Sequence, residues 1–204
     1  FDRAKERAQA TWEDYLGRIR GETECREDKV KFYTGLYHAL LGRGLASDVN
    51  GAYPRNDGSV GQLPMKEGTP LYNIYNTDAA WGAQWNLSQL WILAYPEYMS
   101  EYISSHLQAY KDAGWLADGL ANNRYVSGVG TNLLSTIIAS AYECGIRDFD
   151  TKIAYEACLK NELEGKNRPF GAGKVNTTEF VKYGYVPHQD AGEGYHETFM
   201  FSAS

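Results

Sequence analysis

Three carboxylates and a pair of tryptophans stand where this 204-residue chain could hold a ligand. Asp48 and Asp57, with Tyr53 between them, fall in a stretch from Leu45 to Asn76 that has no hydrophobic period. Turn formers punctuate it: Asn50-Gly51, Asn56-Asp57-Gly58, Gly61, Pro64 and Gly68-Thr69-Pro70. An aspartate beside Asn-Gly commonly closes a turn by accepting a nearby backbone N–H. On a long loop the same carboxylate can instead bond a ligand, and binding residues concentrate on such loops. Asp78 precedes an apolar segment, where an N-cap carboxylate contributes about 1 kcal/mol. A helix start beside a cleft could also present that carboxylate to a hydroxyl. Trp81 and Trp85, one helical turn apart, read as core residues or as a stacking platform.

Other chemistry is less well supported. Cys25, Cys144 and Cys158 have no CxxC spacing, so they are read as buried free thiols rather than a zinc or redox site. His38 at the end of an apolar helix is read as structural. His188, Asp190, Glu193, His196 and Glu197 match no metal-ligand spacing, and no metal site is assigned to them. The net charge of −6 comes without a basic stripe, which argues against nucleic acid and for a neutral or cationic ligand. Aromatic residues form 14% of the chain, a composition suited equally to large cores and to sugar-stacking clefts. No apolar run of about 18 residues exists to span a membrane. The start at Phe1-Asp2-Arg3 enters a helix-like segment directly, which reads as a chain without a signal peptide whose upstream sequence has been removed.

Helices must position these residues. Ala8, Trp12, Tyr15, Leu16 and Ile19 share one face of a helix over 3–19, and Phe32, Tyr33, Leu36, Tyr37, Leu40 and Leu41 form a stripe over 29–41. Residues 45–76 form a long loop or small hairpin excursion. A helix over 79–94 is apolar on nearly every side, which predicts that others surround it, and the helix opened by Pro96 is its exposed partner. After a Gly/Asn-rich loop over 117–130, Thr131 or Asn132 caps an apolar helix that Gly145 ends. Asp148 or Asp150 then starts an amphipathic one, and 176–183 reads as a short helix. Alternating inner and outer helices predict an all-α fold, half of an α/α toroid in a single domain over 1–204. An open half-ring would expose apolar faces that a dimer or a domain contact must cover.

Ordered motifs resemble one family. Phe32-Tyr33-Thr34-Gly35-Leu36-Tyr37-His38 resembles the F-Y-T-A-L-Y-H signature of glycoside hydrolase family 92. Asp48-Val49-Asn50-Gly51-Ala52-Tyr53 with Asp57 is similar to the D-x-x-G-x-Y-x-x-x-D loop of that family, and Tyr75-Asn76-Thr77-Asp78 falls where S-L-W-D-T is expected. The run from Ala141 to Asp150 is similar to A-Y-x-K-G-I-x-x-F-D, and Tyr183 to Val186-Pro187 to G-Y-V-P.

The resemblance implies an inverting, calcium-dependent exo-α-mannosidase of α-1,2 type, acting on mannose-containing glycans in the periplasm or outside the cell. Asp48, Tyr53, Asp57, Asp78, Trp81 and Asn132 would line its sugar pocket. Trp81 stands where the family has an arginine, and Gly128-Val129-Gly130-Thr131-Asn132 is an altered form of its M-x-G-x-H stretch. The motifs that supply the catalytic acid, the base and the calcium ligands, an E-G segment and G-N-D-D-x-G, belong C-terminal to this sequence. No catalytic residue and no metal ligand is therefore assigned here, and the chain alone is expected to be inactive. Two alternatives stay open: a non-catalytic glycan-binding or scaffolding relative, and another α/α-toroid enzyme such as a glucoamylase-like hydrolase or a polysaccharide lyase.

Overall fold

The computed structural model of the chain describes residues 1–41, 44–77, 80–126 and 133–187. It divides into two compact units, residues 1–42 and 43–204.

The first unit is a pair of helices, α1 (Asp2–Gly17) and α2 (Arg26–Leu40). Glu27 and Asp28 place negative charge in the first turn of α2, where the helix dipole favours it. The apolar stripes meet through aromatic rings, with Trp12 and Tyr37 at 4.5 Å and 57°. Leu36 is buried, while α1 buries no residue completely. The Phe32 to His38 signature thus lies on α2, with His38 exposed beside Tyr37.

The second unit begins with two antiparallel hairpins, β1 (Ala52–Pro54) with β2 (Val60–Gln62) and β3 (Met65–Lys66) with β4 (Thr69–Pro70). They fill the stretch expected to be loop or hairpin. Helices α3 (Ala80–Gln84), α4 (Leu87–Ala94) and α5 (Pro96–Ala113) follow. A third hairpin, β5 (Gly119–Ala121) with β6 (Arg124–Val126), leads to α6 (Leu134–Glu143), α7 (Thr151–Leu163) and α8 (Thr177–Tyr183). No described helix is long and apolar enough to cross a membrane.

Several expectations hold. Asp150 caps α7, its Oδ1 accepting from the Ile153 N–H at 3.1 Å, and Gly184 ends α8 in the left-handed conformation. Others need correction. The helix expected over 79–94 breaks at Trp85-Asn86, where Asn86 takes φ −160° and ψ −22° and a new helix starts. The helix opened by Pro96 is also not the exposed partner expected. Trp85 and Leu93 are 54% and 83% exposed and α4 buries only Ser88 and Trp91, whereas α5 buries eight residues. Small polar residues explain this. Ser100 and Ser105 sit inside because the Ser100 hydroxyl donates to the Asp148 carbonyl (2.9 Å) and the Ser105 Oγ accepts from the Tyr75 N–H (3.1 Å). With them buried, the Met99, Tyr102, Ile103 and Leu107 stripe widens to cover most of the helix.

The cysteines are free, but they are not buried as expected: Cys25 and Cys144 are exposed and Cys158 is half-buried. The fold is helix-rich rather than purely helical, because the Gly/Asn-rich stretch holds the β5–β6 hairpin. Asn122 and Asn123 turn it with φ of 50° and 56°, the pair of positive φ values that a two-residue hairpin requires.

Candidate functional site

The β1–β2 hairpin is fixed to α5 through Tyr53. Its register sets Tyr53 opposite Gly61, and any Cβ at Gly61 would collide with the Tyr53 ring. The ring packs with Leu63 and Ile74, and its hydroxyl donates to Asp112 Oδ2 at 2.8 Å. Gln108 Nε2 donates both to that hydroxyl (2.8 Å) and to Asp112 Oδ1 (3.0 Å), while Gln108 Oε1 accepts from the Tyr72 hydroxyl (2.7 Å). Burial, and then the Asp112 carboxylate, hold the Tyr53 phenol above its usual range, and burial pushes Tyr72 up to about 12. Both phenols therefore remain neutral donors. Tyr53 is 2% exposed, so it holds the hairpin from beneath.

Asp48 and Asp57 stand on the exposed side of this hairpin. The Asp48 carbonyl accepts from Gly51 (2.9 Å) and its Oδ1 from the adjacent Val49 N–H (3.1 Å). Asp57 Oδ1 accepts from both the hydroxyl (2.7 Å) and the N–H (2.8 Å) of Ser59, the hydroxyl first, and together they hold its carboxyl below the usual range. A lowered carboxyl accepts hydrogen bonds well and is a poor proton donor.

Backbone pairing then gathers three segments. Thr77 and Leu120 form an antiparallel bridge, with Thr77 N–H to Leu120 O at 2.8 Å and Leu120 N–H to Thr77 Oγ1 at 2.9 Å. Asn76 Oδ1 accepts from the Asn122 N–H at 2.6 Å, and Asn56 Oδ1 from the Tyr125 N–H at 2.8 Å. Ala80, the first residue of α3, donates its N–H to the Asp118 carbonyl at 2.8 Å. The tip of the β1–β2 hairpin, the chain entering α3 and the β5–β6 turn are thereby tied into one platform.

Half-buried Trp81 lies one residue into α3 from that bond, in T-shaped contact with exposed Trp85 (5.1 Å, 82°). Asp78 and Asn132 lie outside the described residues, as do the histidines and acids of 188–204. Sequence reasoning missed Asn56, Asn76, Asn122, Asn123 and Asp118 here. The Asn122-Asn123 pair was the available signal, since it is a turn dipeptide between short β-prone runs. Asn123 is the unusual member. It is fully buried, and neither its Oδ1 nor its Nδ2 has a hydrogen-bond partner. An unsatisfied buried group of this kind costs about 1–3 kcal/mol.

Amides, hydroxyls, an acceptor carboxylate and indole rings suit a neutral, hydroxyl-rich ligand. A metal is another matter. Among the described residues no group of three His, Cys, Asp or Glu could hold one. A groove of about 550 Å³ between α6 and α7 is walled mainly by Ile138, Tyr142, Phe149, Ala154 and Tyr155, with Glu143 and Lys152 also on its lining.

The chain matches the profile of the glycosyl hydrolase family 92 catalytic domain over residues 1–202. No curated protein matches it. Among solved structures it is similar to the family GH92 inverting mannosidase BT2199 from Bacteroides thetaiotaomicron VPI-5482. The TM-score is 0.78 at 24% identity, covering 93% of this chain and 25% of that one. It is also similar to the family GH92 α-mannosidase BT3965 from Bacteroides thetaiotaomicron, with a TM-score of 0.79 at 21% identity over 100% of this chain and 27% of that one. A structure of BT3965 in complex with mannoimidazole gives 0.76 at 22%, over 93% and 23%. The chain thus spans about a quarter of the length of these structures.

Proposed function

Because the chain belongs to glycosyl hydrolase family 92, we propose that it forms one wall of the sugar pocket of an inverting exo-α-mannosidase that trims α-1,2-linked mannose from glycans. The observation that carries this reading is the platform in which the Asp57 turn, Asn76-Thr77 and the Asn122-Asn123 turn are bonded together beside Trp81. Support also comes from the similar structures, one named as an inverting mannosidase and one holding mannoimidazole.

Inversion requires a carboxylic acid to protonate the leaving oxygen and a carboxylate to activate water on the opposite face. The G-N-D-D-x-G motif that supplies the base in the family does not occur in this sequence. The residues of this chain therefore bind and orient. Asp48, Asp57 and Asp78 accept from sugar hydroxyls, Trp81 presents its ring to the C–H face of the sugar, and Asn132 contributes an amide. Tyr53, committed to Asp112 and Gln108, sets the height of the hairpin that carries the two loop aspartates. The described residues do not fit calcium, so no step is routed through it; in this reading its ligands lie in the family motifs that this sequence lacks.

In the same reading the chain is part of a single catalytic domain, half of an α/α toroid, whose open faces meet another domain or a second copy, and the enzyme works in the periplasm or outside the cell. A non-catalytic glycan-binding role is the second reading, favoured by Trp81 at the position where the family carries an arginine: an apolar ring with one donor replaces a planar cation with five. Titration with methyl α-mannoside and methyl α-glucoside, followed by protein NMR, tests the site. Mannoside-selective shifts at Asp57, Trp81 and Asn122 are expected, and D57N weakens them. Equal or absent responses to the two sugars would remove the reading.

A further inference from the structure

Arg124 on β6 differs from the other described arginines of residues 43–204. Arg55 pairs with Asp112 at 3.6 Å, Arg147 lies over the Tyr142 ring at 4.4 Å, and Arg168 donates to the Pro169 and Ala172 carbonyls. Arg124 is exposed and makes no hydrogen bond, ion pair or ring contact among the described residues. Its place is nonetheless defined. The 2.8 Å bond from the Tyr125 N–H to Asn56 Oδ1 sets β6 against the Asp57 turn, and Arg124 Nη2 stands 3.5 Å from where a Cβ on Gly58 would lie. The Asp57 carboxylate on that turn is only half used. Its Oδ1 takes both bonds from Ser59, while Oδ2 has no hydrogen-bond or ion-pair partner among the described residues. An unused cationic donor and an unused anionic acceptor therefore share one turn, both open to solvent and not closed on each other.

We propose that Arg124 is a sugar-contacting residue of the mannoside site, its guanidinium donating to a ring hydroxyl while Asp57 Oδ2 accepts from the neighbouring one. The inference rests on the mannoside-binding reading above. The chemistry matches a vicinal diol: each hydroxyl both donates and accepts, so adjacent ones can engage a donor on one side and an acceptor on the other. Both bonds would be charge-assisted, about twice as strong as neutral ones. The guanidinium also brings several N–H donors in a fixed plane, which orients a ring better than a single ammonium would. Access is open, because Asp57, Gly58 and Arg124 are all exposed. Since Arg124 makes no described bond in the free protein, removing its charge costs binding without costing fold.

The test titrates the full chain, as wild type, R124Q and the control R147Q, with methyl α-mannoside and its monodeoxy analogues, and records the thermal melting of each variant. Expected are an unchanged Tm for R124Q, about tenfold weaker binding of methyl α-mannoside by R124Q, and wild-type binding by R147Q. Against the analogue that lacks the contacted hydroxyl, R124Q and wild type should bind alike. A penalty of the same size against every analogue would show that Arg124 acts without touching the sugar, and an equal loss in R147Q would reduce the effect to net charge; either overturns the inference. If R124Q and wild type bind methyl α-mannoside equally, the inference falls while the mannoside site stands. Should R124Q lower the Tm, the guanidinium serves the fold and the inference also falls. Absence of mannoside binding by the wild-type chain overturns the site reading and this inference together.

Discussion

Tyr53 on β1 and Asp112 on α5, 59 residues apart in sequence, are joined by a 2.8 Å hydrogen bond in which the phenol donates to the carboxylate. Asp112 has a side-chain exposure of only 9%, and the Arg55 Nε stands 3.6 Å away. This bond is the main polar tie between the hairpin that carries Asp48 and Asp57 and the longest helix. Y53F removes one donor from a largely buried carboxylate and is predicted to cost about 1–3 kcal/mol in urea unfolding. The combined Y53F/D112N variant should cost less than the sum of the single changes, because the two side chains share one network. Strict additivity would show that the bond does not couple them.

Glycines in this chain divide by what surrounds them. At Gly61 a side chain meets the Tyr53 ring, so G61A is predicted to destabilise by about 1–3 kcal/mol through overpacking. Gly35, inside α2, has open space around it. G35A should stabilise by about 0.5–1 kcal/mol, the usual gain for alanine in a helix interior. It also restores the residue that the F-Y-T-A-L-Y-H signature carries. Opposite signs for the two variants in denaturant melts are the expected outcome, and a neutral G61A would mean that the hairpin shifts to make room.

What the sequence made legible was whatever is local. The Asp150 cap, the Gly184 stop and the α2 stripe are set by residues within a turn of one another, so pattern alone located them. The burial of α5 was not legible, because Ser100 and Ser105 look like an exposed face until their backbone partners, 48 and 30 residues away, are known. Three-residue strands are likewise too short to impose a visible alternation, so β5 and β6 passed for loop. At the candidate site, the two loop aspartates were singled out by type and turn context. The asparagines were missed because their bonds cross from one loop to another.

His106 makes α5 sensitive to acid. Its imidazole is fully buried, neither nitrogen is bonded, and its ring meets Tyr102 at 4.8 Å. Burial pushes its pKa down to about 3. In the unfolded chain the group takes protons near its ordinary value of about 6.5, so the unfolded state binds more protons below that pH. The stability tied to neutral His106 is complete above about pH 6.5 and is lost as pH falls toward about 3. H106L should therefore flatten the decline: between about pH 7 and pH 5 it should lose on the order of 1–2 kcal/mol less than wild type. Urea midpoints at the two pH values give the comparison, and parallel declines would place the acid sensitivity elsewhere.

Lys174 and Glu162 form a largely buried ion pair. Lys174 Nζ lies 2.6 Å from the Glu162 carboxylate, with side-chain exposures of 2% and 27%. A buried ammonium depends on such a partner, since the cost of removing it from water is offset only by close opposite charge and hydrogen bonds. E162Q keeps the shape and removes the charge, and it is predicted to destabilise by about 3 kcal/mol or more. K174M exchanges the ammonium for an apolar end of similar length and leaves Glu162, which retains some access to water, to rehydrate. K174M should therefore cost less than E162Q, and K174M/E162Q should recover much of the loss seen with E162Q alone. Chemical denaturation of the three variants separates the cases, because a double variant no better than E162Q would show that the carboxylate acts on something other than Lys174.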